Sequence, residues 1–193
     1  MSNQVNLVGK IISDFTYSHD VYGETFYSVT LSVNRNSGKS DIIPLLISDR
    51  LIDVNKNLTD SYVYVNGEFR SHNQHDVDKN RVKLYVFVNN IELLTDKENV
   101  NDIFLEGYIC KTPTYRHTPL GREIADVTLA VNRSYNKSDY IPCIFWGRNA
   151  YFMRSLKAGD RIRVAGRIQS REYIKCNETK TAYELSVSLL EIC

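Results

Sequence analysis

Residues 29–35 read VTLSVNR and residues 127–133 read VTLAVNR. This repeat restricts the chain to folds that can be built twice from about half its length. Gly9 and Gly107, Arg35 and Arg133, and Pro44 and Pro142 are each 98 residues apart, whereas Gly67 and Gly166, and Glu92 and Glu191, are 99 apart. One residue inserted between the two groups accounts for the change. A period of this size is too long for a solenoid repeat and fits a duplicated domain. In a chain of 193 residues each copy then has fewer than 100, enough for one small core. The expected boundaries are 1–94 for the first domain, 95–102 for a short polar linker and 103–193 for the second domain.

Within the second copy most segments have the period of a strand. Ile103–Lys111 ends near Pro113, and Thr118-Pro-Leu-Gly121 is a turn signal between strands. Val127, Leu129 and Val131 alternate, and Tyr140–Trp146 forms the next strand. The segment 148–157 is a short helix closed by Gly159. Ile162, Val164 and Ile168 alternate in a long strand toward Tyr173. Asn177–Lys180 is expected to be a hairpin loop and Ala182–Ile192 the last strand. Five strands with a helix between the third and fourth is the order of the OB-fold barrel. The expected fold is therefore all-β: two tandem five-stranded OB barrels, each with one short helix between strands 3 and 4. In the first copy Asp49–Asp60 fills the helix slot, as a poorer helix rich in Asn and Asp.

Several function classes find no support. Gly38-Lys39-Ser40 lacks the earlier glycine and the following helix of a phosphate-binding loop. No GxSxG elbow is present. His72-Asn-Gln-His75 with Asp76 and Asp78 reads as a solvated hairpin tip rather than a metal site. No enzyme activity, cofactor or metal is expected. The apolar runs are too short to span a bilayer, and MSNQVNLVGK has no basic region before an apolar core, so no signal peptide is expected. Cys110, Cys143, Cys176 and Cys193 contain no CxxC pair and read as reduced thiols, with Cys143 in the core.

The net charge of +1 conceals an asymmetry. Residues 1–98 hold 10 Lys and Arg against 13 Asp and Glu, and residues 99–193 hold 14 against 10. A polyanion is drawn to the second half and mildly repelled by the first.

Alternation along the strands assigns the faces of the second barrel. Ile141, Cys143 and Phe145 suit the core, and Tyr140, Pro142, Ile144 and Trp146 face outward. Along the fourth strand Ile162, Val164 and Ile168 face inward, opposite Arg161, Arg163, Arg167, Arg171 and Tyr173, provided that no bulge intervenes. Arg133 and Tyr135 share one side at the end of the second strand. Rings interleaved with guanidinium groups are what a single-stranded nucleic acid requires, for base stacking and phosphate neutralisation. The candidate contacts are stacking by Tyr135, Tyr140, Trp146 and Tyr173 and phosphate pairing by Arg116, Arg133, Arg148, Arg163, Arg167 and Arg171. By the same spacing the first copy has Ser37, Ile42, Ser48 and Gln74 where the second has the four rings. Tyr62, Tyr64, Glu68 and His72 stand for Arg161, Arg163, Arg167 and Arg171. The first domain is thus expected to be mainly structural.

Thr118–Arg133, Asp139–Gly147, Leu156–Asp160 and Val164–Tyr173 together resemble the bacterial and phage single-stranded DNA-binding proteins. The resemblance implies an OB barrel that wraps single-stranded DNA in replication, recombination or repair, with stacking rings at Tyr135, Tyr140, Trp146 and Tyr173. It also implies four OB domains per assembly, hence a homodimer of this two-domain chain, in the cytoplasm and nucleoid of a bacterial or phage-infected cell. Family members often end in an acidic tail that recruits replication and repair proteins. Here the sequence stops at Glu191-Ile-Cys193, so recruitment by that route is not expected. An OB-fold protein-interaction module of primosomal type and an RNA-binding regulator are the alternative readings.

Overall fold

A computed structural model describes residues 2–76, 79–95 and 98–193, and the side chains of these residues except 74–76 and 79–81. The first copy contributes β1 (Asn3–Ile11), β2 (Thr16–Val21), β3 (Glu24–Asn34), β4 (Ser40–Ser48), β5 (Tyr62–Asp76) and β6 (Lys79–Leu94). The second contributes β7 (Val100–Ile109), β8 (Thr114–His117), β9 (Glu123–Arg133), β10 (Lys137–Trp146), α1 (Gly147–Phe152), β11 (Arg161–Lys175) and β12 (Glu178–Ile192).

In the second copy the strands follow the order β7-β11-β12-β10-β9-β8, and β7 also pairs with β9. That second pairing closes the barrel. β7 and β8 are one bent strand, interrupted where Pro113 cannot donate to a ladder, so the expected five-strand count holds. The pair β10–β12 is parallel, and the other pairs described are antiparallel. This is the OB arrangement. The first copy repeats it, with β2-β3-β4-β6-β5-β1, a closing β3–β1 pairing and a parallel β4–β6 pair.

The repeated glycines are explained by this closure. A Cβ on Gly107 would lie 2.6 Å from the Ala130 carbonyl oxygen, and one on Gly9 would lie 2.5 Å from that of Ser32. Both mark the point where the first strand crosses the second too closely for any side chain. Each core is filled from alternate strand positions: Val127, Leu129, Val131, Ile141, Cys143, Phe145, Ile162, Val164 and Ile168 are buried in the second copy. Leu31, Val33, Ile43, Leu45, Val63 and Val65 are buried in the first.

Several expectations are corrected. The helix over 148–157 is shorter: α1 is followed by one turn of 3-10 helix, Met153–Ser155. The first copy has no helix in its slot. There the Asp53 carboxylate accepts the Asn55 backbone N–H at 3.1 Å, and the Asn57 side-chain oxygen accepts that of Thr59 at 3.0 Å. These Asx turns take the N–H groups a helix would need. The final hairpin turns at Cys176-Asn177, both at positive φ, so β12 begins at Glu178 rather than at Ala182. Finally, the ladder between β11 and β12 does shift register, at Ala165/Gly166, and the extra residue, Ser188, lies on β12. Alternation along β11 therefore survives as far as Ile168.

The chain divides into two compact units. One comprises Gln4–Arg70 and Leu84–Asn101, and the other Met1–Asn3, Ser71–Lys83 and Asp102–Cys193. The tip of the β5–β6 hairpin is thus part of the unit built on the second copy.

Candidate nucleic-acid interface

Paired residues in a sheet point to the same face, so strand register arranges the outer surface of the second barrel in rows. Arg116 opposes Ile124, which opposes Trp146. The next row along β8, β9 and β10 is Thr114, Asp126 and Ile144, and it continues through Ser186 on β12 to Arg167 on β11. Further along β10 Tyr140 opposes Ala130, and further along β11 Gln169 opposes Glu184. One face thus carries Arg116, Trp146, Tyr140, Arg167 and, two residues beyond Gln169, Arg171.

Trp146 is half-buried and fixed. Its indole Nε1–H donates to Ser186 Oγ at 3.1 Å, which leaves a ring surface with a set orientation at the end of β10. Ile144, expected to face outward, does lie on that face but is buried there. Tyr140 is 48% exposed, and its backbone N–H donates to Ser71 Oγ at 2.8 Å. The Ser71 backbone N–H in turn donates to Asp139 Oδ1 at 2.8 Å. The β5–β6 hairpin therefore supports the β10 backbone at Tyr140. Tyr135, at 94% exposure and positive φ, stands on the β9–β10 turn. Tyr173, at 38%, is near the tip of the β11–β12 hairpin, opposite Lys180.

The arginines separate into groups that sequence alone could not distinguish. Arg133 is mostly enclosed, and its Nε lies 3.5 Å from Oδ2 of the buried Asp139. The first copy has the same ion pair at Arg35 and Asp41. The pair spans the β9–β10 turn and is kept in the copy without the rings, so part of the Arg133 guanidinium, expected as a phosphate contact, faces Asp139. Arg163 shares the Glu106 carboxylate with Arg161, donating from Nε at 2.9 Å. Hydrogen bonds from these two guanidinium groups, Arg163 first, hold the Glu106 carboxyl below its ordinary range. Arg116 pairs with Asp126 at 2.7 Å, Arg171 lies 3.9 Å from Glu184, and Arg167 donates to Gln169 Oε1 at 2.7 Å. Arg148 is exposed on α1 and has no ion-pair partner among the described residues. The Arg116–Asp126 pair is exposed on both sides, and such pairs contribute about 0–1 kcal/mol, so a phosphate can displace the carboxylate there, whereas Glu106 and Glu184 are more enclosed than the Arg163 and Arg171 guanidinium groups they face.

In the first copy the corresponding face is occupied internally. Glu68 accepts from Arg70 at 2.8 Å, and the Arg70 guanidinium lies 3.8 Å from the centroid of the Phe87 ring. The Tyr64 hydroxyl donates to Asn6 Oδ1 at 2.9 Å. Ser48, the counterpart of Trp146, is buried. Gln74, matched to Tyr173, lies outside the described side chains, as do His75 and Asp76 of the candidate metal cluster, and Asp78 lies outside the described residues. Among the described residues no group of three metal-binding side chains converges. Cys143 is buried, and burial pushes its thiol upward. Cys110, Cys176 and Cys193 are exposed free thiols.

Sequence reasoning missed Ser186, Glu106 and Ser71. Glu106 carried a usable signal, an outward acid on a strand able to lie beside the Arg161 and Arg163 strand. Ser71 carried none, because its place depends on a hairpin from the other copy.

Comparison with known proteins gives a consistent answer. Residues 100–192 match the model of the "Single-strand binding protein family". "Single-stranded DNA-binding protein B" of Bacillus subtilis is 38% identical over 80 residues, covering 38% of this chain and 71% of that protein. "Single-stranded DNA-binding protein 2" of Listeria innocua is 38% identical over 81 residues, covering 38% of this chain and 51% of that protein. The chain spans about half the length of most of the curated relatives it matches. The crystal structure of the wild-type single-stranded DNA-binding protein from Thermus aquaticus superposes with a TM-score of 0.79 at 19% identity, covering 99% of this chain and 92% of that one. That match places both copies in one shared fold. By the family model matched over residues 100–192 and by 38% identity to a relative of which it covers 71%, the chain belongs to the single-strand binding protein family.

Proposed function

We propose that this chain binds single-stranded DNA with little sequence preference and without catalysis. The face that carries Arg116 and Trp146 in one row and Ser186 and Arg167 in the next, joined by the Trp146–Ser186 hydrogen bond, supports this reading most directly. It alternates a fixed ring with cations across a continuous surface. Every base has a π-face, so stacking at Tyr135, Tyr140, Trp146 and Tyr173 tolerates any sequence. Arg116, Arg148, Arg163, Arg167 and Arg171 supply phosphate contacts, whereas Arg133, expected among them, serves as a tie to Asp139, as Arg35 does to Asp41. The first domain acts mainly as structure and lends its hairpin tip to support Tyr140. The assembly is a homodimer presenting four OB domains, acting in replication, recombination or repair in the bacterial cytoplasm and nucleoid.

Fluorescence anisotropy with the full chain tests the reading, using labelled oligo(dT), the matching RNA and duplex DNA. Tight binding to oligo(dT), weaker binding to duplex and loss of affinity with rising salt are expected. Preference for the RNA would transfer the surface to RNA regulation. Absence of binding to all three would support the protein-interaction alternative.

A further inference from the structure

We propose that the single strand continues beyond Trp146 onto a second station, formed by Tyr151 and Arg154 of the α1 region together with Tyr115 of β8. The inference rests on the binding reading above and extends its path. The Arg154 guanidinium lies 5.1 Å from the Tyr151 ring centroid and 5.2 Å from that of Tyr115, both within cation–π range. The His117 ring stands edge-on to Tyr115 at 5.5 Å. Tyr115 is anchored by its hydroxyl, which donates to Glu123 Oε1 at 2.7 Å. Arg154 is exposed and has no ion-pair partner among the described residues. A cation held by rings and not neutralised by a carboxylate keeps its N–H groups for an anion. Tyr151 and Phe152 are exposed beside it.

Two observations identify the occupant as single-stranded nucleic acid. The first is continuity. Trp146 is the residue directly before α1, Arg148 lies in its first turn, and Tyr151 and Arg154 follow at helical spacing. Tyr115 and Arg116 are neighbours on β8, the last strand in the order, and so lie on its opposite faces. A strand crossing that edge passes from the Arg116–Trp146 row to the Tyr115–Arg154 cluster. The second observation is the contrast with the first copy. Tyr17 is the counterpart of Tyr115 by the 98-residue spacing, but it meets Tyr27 edge-on at 6.3 Å and donates to Asp20. The slot that would hold a helix and a cation there holds Asx turns instead. The cation–ring station accompanies the copy that carries the other rings.

The test compares a short oligo(dT) that fills only the main face with one several times longer, since single OB folds occupy about 4–16 nucleotides. Tyr151→Ala and Arg154→Lys are measured in the full chain by anisotropy, with thermal melting alongside. Tyr151→Ala is expected to weaken the long oligonucleotide by about fivefold or more, the loss of one stacked base, and to leave the short one unchanged. Arg154→Lys keeps the charge but loses the planar group, and is expected to weaken the long oligonucleotide by a smaller factor with the salt dependence preserved. Wild-type affinity of both variants for both lengths would overturn the second station while the main face stands. So would an equal loss on both lengths. If the wild-type chain binds neither oligonucleotide, the underlying reading fails and the extension fails with it.

Discussion

Single residues divide the proposed affinity into two measurable parts. Tyr140→Ala and Trp146→Ala each remove a stacking surface and are expected to cost about 1–3 kcal/mol of binding, with the salt slope unchanged. Arg171→Ala removes a phosphate contact and is expected to flatten the slope of log K against log salt by about 0.7. The opposite pattern in a salt titration would contradict the assigned roles. Glu106→Gln tests the carboxylate between Arg161 and Arg163. Releasing both guanidinium groups is expected to raise affinity and steepen the salt slope. Because Glu106 is held below its ordinary range, its contribution to stability is present above the unfolded value of about 4.3 and is lost as pH falls through the lower folded value. The melting temperature of Glu106→Gln should accordingly fall less than that of wild type on acidification below about pH 4.5. Alternation along β10 and β11 made the rings and cations legible in the sequence. What a cation touches depends on cross-strand register, and for that reason the pairing of Arg133 with Asp139 was not legible in the sequence.

At the scale of elements, β strands were legible because their apolar period is two, as along Tyr140–Trp146, and their ends carry turn residues, as at Thr118–Gly121. The helix slot was less so. Asp53 and Asn57 read as weak helix residues, yet their side chains captured backbone N–H groups and abolished the helix. The bulge on β12 left no periodic signature, because one extra residue, Ser188, changes the pairing without changing the composition. Gly166 was legible as a repeated glycine but not for its reason: a Cβ there would lie 2.0 Å from the Ser186 carbonyl oxygen. Gly166→Ala is therefore expected to destabilise by about 1–3 kcal/mol and to disturb the Ser186 hydroxyl that holds Trp146, changing the tryptophan emission in the native state. Arg133→Ala leaves the buried Asp139 without its cation and is expected to cost about 1–3 kcal/mol in denaturant unfolding. A loss of binding without loss of stability would instead return Arg133 to the contact surface.

For the whole molecule, duplication explains why a chain of nearly neutral charge can favour a polyanion. Two copies share the glycines, the core and the Arg–Asp pair, whereas the four candidate rings and the arginines on their face belong to the second. The first copy shows what the fold alone needs. The second shows what has been added to it. Even so, the hairpin tip Ser71–Lys83 belongs to the unit of the second copy, so the binding surface is expected to need the full chain. Sedimentation equilibrium should give twice the 22.3 kDa chain mass if four barrels assemble. The central claim is tested most directly by titrating the fluorescence of Trp146, the only tryptophan, with oligo(dT) in the presence of duplex competitor. The account predicts strong quenching that persists against duplex and fades as salt rises. Unchanged emission, together with no change in the anisotropy of a labelled strand, would contradict it.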